Sequence, residues 1–112
     1  MLSMFRIMKY YVYVIRLDEE VKKKRKFREQ NLDMNHDLSC YYVGQSYHPP
    51  EIRFWQHKKG YKSNRFAKKY GLGLCPQYYD HLNPIINRKK AESIEAELTK
   101  TLRSKGHGVW SN

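Results

Sequence analysis

At 112 residues the chain has the length of one small domain, and its 22 Lys and Arg against 11 Asp and Glu give a formal net charge of +11. That size excludes a multidomain enzyme, and 40% hydrophobic with 14% aromatic residues excludes a disordered polybasic tail. No run approaches the roughly 18 apolar residues of a membrane span, and residues 1–15 are broken by Arg6 and Lys9 and lack a small-residue cleavage site, so a soluble intracellular protein is expected, cytoplasmic in a bacterium.

Residues 10–15 form a β-branched and aromatic run of strand length, stopped by Asp18, Glu19 and Glu20. Residues 21–30 are almost all charged, with five consecutive bases from Lys22 to Lys26, and residues 31–39 are polar and aperiodic, which predicts a short exposed helix and then a loop. Strand character resumes at Tyr41-Tyr42-Val43-Gly44, and antiparallel pairing with the first strand is the natural arrangement. Pro49-Pro50-Glu51 opens a helix that runs to about Lys59 and stops at Gly60. Arg53 and His57 share one face of it, Phe54 and Lys58 another. Ser63 is the expected cap of a shorter helix over 64–70, with Gly71 as its C-terminal stop. Residues 72–82 read as a third short strand plus connection, an edge or irregular piece because of Pro76. Ala91, Ile94, Leu98, Thr101 and Leu102 predict a helix over about 89–105, ended by Gly106. Val109 to the terminal Asn112 then runs back as a short extended end. The pattern is α+β, with helices packed over a small sheet.

An excess of basic charge on a chain this small points to a polyanion, because binding one releases condensed counterions; the plain alternative is a solvated cationic surface. No acidic residue falls in 52–79, whereas Arg53, Lys58, Lys59, Lys62, Arg65, Lys68 and Lys69 do, interleaved with Phe54, Trp55, Tyr61, Phe66, Tyr70, Tyr78 and Tyr79. Most of those rings are expected in the core. The 22–26 run reads first as a solvated face, with non-specific phosphate contact as a secondary use. Cys40 and Cys75 are too few and too far apart for a disulfide framework or a four-ligand zinc site. A glycine-rich phosphate loop is also missing.

What remains for chemistry is a scattered set: Tyr13, Tyr42, Arg53, His57, Glu95 and Asn112. Each has an ordinary reading: sheet packing for the tyrosines, a surface phosphate contact for Arg53, a satisfied helix histidine for His57, and, favoured on helix phase alone, an ordinary solvated side chain for Glu95. Glu95 differs from Glu92 and Glu97 in lying on the core-side flank of the last helix, with Thr99 rather than a base four residues on.

Tyr11-Val12-Tyr13, then Tyr42-Val43-Gly44-Gln45-Ser46, Arg53 followed by His57, Ala91-Glu92-Ser93-Ile94-Glu95-Ala96-Glu97-Leu98, and residues 106–112 together resemble the ordered motifs of the GIY-YIG nuclease domain. The resemblance covers residues 9–112 of a single domain spanning 1–112, with a basic insertion at about 18–40. Tyr11 stands where the first motif usually has Gly, and 28 residues separate Tyr13 from Tyr42, more than the family commonly has. The resemblance implies a central three-stranded antiparallel sheet flanked by helices, and a divalent-metal-dependent endonuclease that hydrolyses DNA by a one-metal mechanism. It implies Mg²⁺ or Mn²⁺ on Glu95 and the scissile phosphate on Arg53. Tyr13 would activate water, Tyr42 and His57 would orient it or relay the proton, and Asn112 would orient Glu95 or substrate. Gly44, Gln45, Lys58, Lys59, Lys62, Arg65, Lys68 and Lys69 would meet the nucleic acid. The expected partner is DNA, with RNA left open. The separate DNA-binding domain of many members does not follow Asn112, so targeting falls to the basic surface, a protein partner or a homodimer. The alternatives are a basic nucleic-acid-binding protein on the same fold with weak or no cleavage, and, ranked lowest, a ribosome-associated basic protein.

Overall fold

Strand β1 (Tyr11–Leu17) pairs antiparallel with β2 (Cys40–Ser46), setting Tyr13 opposite Gly44 and Ile15 opposite Tyr42. The computed structural model describes residues 9–112, so Arg6 lies outside the described residues. β3 (Gly71–Leu74) pairs antiparallel with the second half of β1, and β4 (Gly108–Ser111) pairs parallel with β2, giving the order β3-β1-β2-β4. The sheet is therefore four-stranded and mixed, not the three-stranded antiparallel sheet expected, although the α+β class holds. The extra strand is the extended end at Val109, and residues from the insertion fasten it. The Asn31 side chain accepts the Val109 N–H at 2.8 Å and donates to the Phe27 carbonyl at 2.8 Å, while Arg103 donates to the Val109 carbonyl at 2.8 Å.

The insertion is consequently less exposed than its charge suggests. A 3-10 turn (Glu19–Lys23) and helix α1 (Arg25–Glu29) point Val21 and Phe27 fully into the core, and their charged neighbours stay outside. Helix α2 (Pro50–Lys59) ends at left-handed Gly60, φ 88°, as read from the sequence. Helix α3 (Arg65–Tyr70) is capped by Asn64 rather than Ser63, because the Asn64 Oδ1 accepts from the backbone of Phe66 and Ala67. Gly71 is extended at φ −63°, so it is not a left-handed stop. Its bare Cα instead admits the Ala67 carbonyl. Helix α4 (Arg88–Ser104) buries Ala91, Thr99 and Leu102, while Thr101, expected on the inner stripe, is exposed.

Strand alternation sends Tyr13, Ile15 and Tyr42 to one face, where His57 meets both tyrosines, and Val12, Val14 and Val43 to the other, and α4 packs against β1, β2 and β4. Among the described residues no helix is long and apolar enough to cross a membrane.

Candidate functional site

Tyr13 and Tyr42 are a diagonal cross-strand pair, with ring centroids 6.1 Å apart. Gly44 makes this possible, since a Cβ there would lie 2.5 Å from the Tyr13 Oη. From α2, the fully buried His57 ring sits 5.2 Å from Tyr42 and 6.0 Å from Tyr13, and its Nε2 is 2.9 Å from the Tyr13 Oη. The backbone N–H of Asn64 donates to His57 Nδ1 at 3.1 Å. A neutral imidazole whose Nδ1 accepts must carry its proton on Nε2, so His57 donates to the Tyr13 oxygen. Burial, and then the Arg53 charge, lower the His57 pKa to about 4, so the ring is neutral near pH 7. In this arrangement His57 holds the Tyr13 oxygen as a donor and is not set to take its proton.

Asn64 joins the two ends of the site. Its Nδ2 donates to Asn112 Oδ1 at 3.0 Å, and Asn112 Nδ2 donates to the Tyr42 Oη at 2.9 Å. Asn112 thus orients Tyr42. A continuous chain of hydrogen bonds runs Tyr13–His57–Asn64–Asn112–Tyr42 and links residues far apart in sequence. Asn64 was missed in the sequence because Ser63 and Asn64 compete for one cap position. Asn is the equal of Ser there, and the choice was settled by what else its amide could reach.

Burial raises both phenols. Tyr13 is held well above its ordinary value by desolvation and then by Tyr42, with Arg53 opposing. Tyr42 is pushed up to about 12 by burial, opposed by the neighbouring Tyr13 hydroxyl, aided by the Glu95 charge and opposed further by Arg53 and by the hydrogen bond from Asn112. Glu95 is half-buried on α4, where helix phase alone favours an ordinary solvated side chain, while Glu92 and Glu97 are exposed. Burial, then the Glu92 charge, raise its pKa to about 7.

Arg53 faces an open cleft of about 300 Å³ shared with Tyr10, Gln45, Ser46, His48, Lys62 and Arg88. β4 stops at Ser111 opposite Val43, so the end of β2 runs past it and Gln45 and Ser46 form part of the cleft wall. Three guanidinium N–H groups are already used: Nη1 donates to Gln56 Oε1 and the Tyr61 carbonyl, Nη2 to the Lys62 carbonyl at 2.7 Å. Among the described residues Nε–H and one Nη2–H have no acceptor, which leaves two donors for an oxyanion. Tyr13, Tyr42 and Glu95 do not line this cleft. Gln56 and Arg88, which do, were not singled out in the sequence.

The basic residues divide in two. Lys58 donates to the Lys68 and Gly71 carbonyls at 2.8 and 2.9 Å, so its ammonium closes the end of α3. Lys59, Lys62, Arg65, Lys68 and Lys69 are exposed. The rings among them divide as well: Phe66, Tyr70 and Tyr79 are core, whereas Trp55 and Tyr61 are 59% and 55% exposed, under Lys59 and Lys62.

Among the described residues no three His, Cys, Asp or Glu side chains cluster to hold a metal ion. Glu95 by itself fits only a hard cation that keeps most of its water shell and completes it with substrate oxygens, which is how Mg²⁺ behaves. Its carboxyl has no cationic partner among the described residues, so a cation would relieve a charge that burial disfavours. Comparison with protein-family models, curated proteins and solved structures finds no match to this chain.

Proposed function

We propose that this chain is a small endonuclease domain of the GIY-YIG type, hydrolysing DNA phosphodiester bonds with one divalent metal, Mg²⁺ or Mn²⁺. The observation that carries the reading is the hydrogen-bonded chain from Tyr13 through His57, Asn64 and Asn112 to Tyr42, beside Arg53 with two free donors. Tyr13, Tyr42, His57 and Asn112, far apart in sequence, meet in this one network.

Arg53 would bind the scissile phosphate through its free N–H groups and stabilise the charge that grows on the phosphoryl oxygens. The loop carbonyls of Tyr61 and Lys62 hold the guanidinium in place before substrate arrives. His57 donates to the Tyr13 oxygen, which turns the Tyr13 hydroxyl proton away from His57, while burial keeps that phenol protonated near pH 7. Tyr13 is the group that would activate the attacking water: its hydroxyl proton would first pass to solvent, a loss favoured by Arg53 and by a cation on Glu95, and the phenolate would then take the water's proton. Asn112 holds the Tyr42 hydroxyl in register with it. A metal on Glu95 would supply charge for the leaving oxygen and lower the pKa of a bound water. DNA is the proposed substrate, with RNA as the competing polyanion, and the basic surface, a protein partner or a second copy would provide targeting.

One observation favours the alternative, a nucleic-acid-binding protein with weak or no cleavage: Tyr13 and Tyr42 are only 1% and 2% exposed. The test is nicking of supercoiled plasmid with Mg²⁺, Mn²⁺ or EDTA, beside Glu95→Ala and with an electrophoretic shift on the same preparations. Metal-dependent nicking that disappears in Glu95→Ala while binding persists supports the nuclease. Binding without cleavage in either metal, on supercoiled, branched and single-stranded DNA alike, leaves the binder.

A further inference from the structure

The basic run of the insertion and helix α3, far apart in sequence, form the two walls of one groove of about 450 Å³. Lys24 and Lys26 stand on one wall, Arg65 and Lys69 on the other, with Phe66 and Tyr70 between them. The ion pairs of the insertion sort its cations. Lys22 pairs with Glu19, Lys23 with Glu20 and Arg25 with Glu29, whereas Lys24, Lys26, Arg65 and Lys69 have no carboxylate partner among the described residues. The carboxylates of this segment thus neutralise Lys22, Lys23 and Arg25, the last of which also lines the groove, and leave Lys24 and Lys26 free.

We propose that this groove clamps the phosphate backbone of duplex DNA outside the cleavage site. Four unpaired cations facing one open groove match a line of phosphates and release its counterions. The choice of duplex over unpaired strand follows from the floor: Phe66 and Tyr70 are 3% and 7% exposed, and base stacking needs an open ring face. A ring face of each is further covered, since Arg65 lies over the Phe66 ring at 4.9 Å and Lys69 over the Tyr70 ring at 5.5 Å. The groove is joined to the site by α3 itself, whose cap, Asn64, holds His57 and Asn112 while the next residue, Arg65, belongs to the groove. From Arg65 to Lys69 the helix rises about 6 Å, on the order of two base pairs. The insertion, which also fastens β4 through Asn31, becomes the device that fixes where the duplex lies.

The inference rests on the proposed action on DNA for the identity of the polyanion, but its test does not need cleavage. Binding of a fluorescent 20-base-pair duplex is measured in EDTA for the wild type, for Lys24→Ala/Lys26→Ala/Lys69→Ala, and for Lys89→Ala/Lys100→Ala/Lys105→Ala, which removes equal charge from α4 and the residue after it. All six lysines are exposed, and a thermal melt checks that each variant folds. At about 0.15 M salt charges are screened over about 8 Å, so the groove variant should lose about tenfold or more in affinity and the control stay within about threefold. The slope of log affinity against log salt should fall by about 2–3 in the groove variant alone. Equal losses in both variants, unchanged affinity in the groove variant, or no duplex binding by the wild type would each overturn the clamp. Loss of binding in the groove variant from a protein that never nicks would support the clamp and count against the nuclease. Nicking by a protein whose groove variant binds normally would do the reverse.

Discussion

Gly44→Ala tests the packing of the site with a sign as well as a size. Gly44 does not need a left-handed backbone, so alanine there would ordinarily stabilise by about 0.4–1 kcal/mol through the unfolded chain. The added Cβ would instead meet the Tyr13 Oη at 2.5 Å and Cζ at 2.6 Å, with the Tyr42 ring at 3.0 Å. The Tyr13 ring is confined between Tyr42 and His57 and cannot swing aside cheaply. Overpacking of this kind costs about 1–3 kcal/mol, and displacing Tyr13 from His57 forfeits a buried hydrogen bond of about 1 kcal/mol, so a net loss of about 2–3 kcal/mol is expected. For a domain of this size that lowers Tm by about 10–20 °C. Chemical denaturation of the wild type, Gly44→Ala, Tyr13→Leu and the double variant forms a cycle. With the Tyr13 ring gone, Gly44→Ala should be nearly neutral. A gain in stability from Gly44→Ala, or an equal loss in the Tyr13→Leu background, would refute the reasoning.

Three further outcomes are expected. His57 titrates at about 4 in the folded chain against about 6.5 unfolded, so between those values the unfolded state binds more protons and stability rises with pH, by about 3 kcal/mol from this group. Glu95, raised from 4.5 to about 7, acts oppositely and lowers stability as pH climbs through that window. The two slopes offset, and Glu95→Gln should therefore expose a clear rise in denaturation midpoint from pH 4 to 6.5 that the wild type largely lacks. Lys58→Met should lower stability by about 1–2 kcal/mol with little change in duplex affinity, because Lys58 holds the Lys68 and Gly71 carbonyls, while Lys59→Met should do the opposite. Arg53→Lys keeps the charge but gives up the planar fork, so nicking should fall by about 100-fold while duplex binding changes little; equal loss of both would place Arg53 in binding alone.

Much of the fold can be read in the sequence where burial imposes a period. β1, β2 and α4 each bury one face of a run long enough to show it, and α2 carries its own start and stop in Pro50 and Gly60. β4 and the insertion are legible only in part, as a short extended end and a short exposed helix, for a shared reason. Each is short, and each is ordered by the other, through Asn31 on Val109 and Arg103 on both. Thr99 and Thr101 trade places on α4 because the helix turns its inner stripe toward β2 and β4, and composition does not separate two threonines. In the site, Tyr13, Tyr42, His57 and Asn112 were all visible as residue types in an order. The carrier between them, Asn64, was not, since its role depends on α2 and the chain end meeting in space.

The most direct test of the central claim is the single-turnover nicking rate of wild type, Tyr13→Phe and Glu95→Ala in Mg²⁺, with duplex affinity measured in parallel. Tyr13→Phe removes one oxygen and leaves the packing, so the account predicts a rate at least about 100-fold lower with affinity unchanged, and none above background for Glu95→Ala. Nicking by Tyr13→Phe at the wild-type rate, or nicking that survives Glu95→Ala, would contradict it.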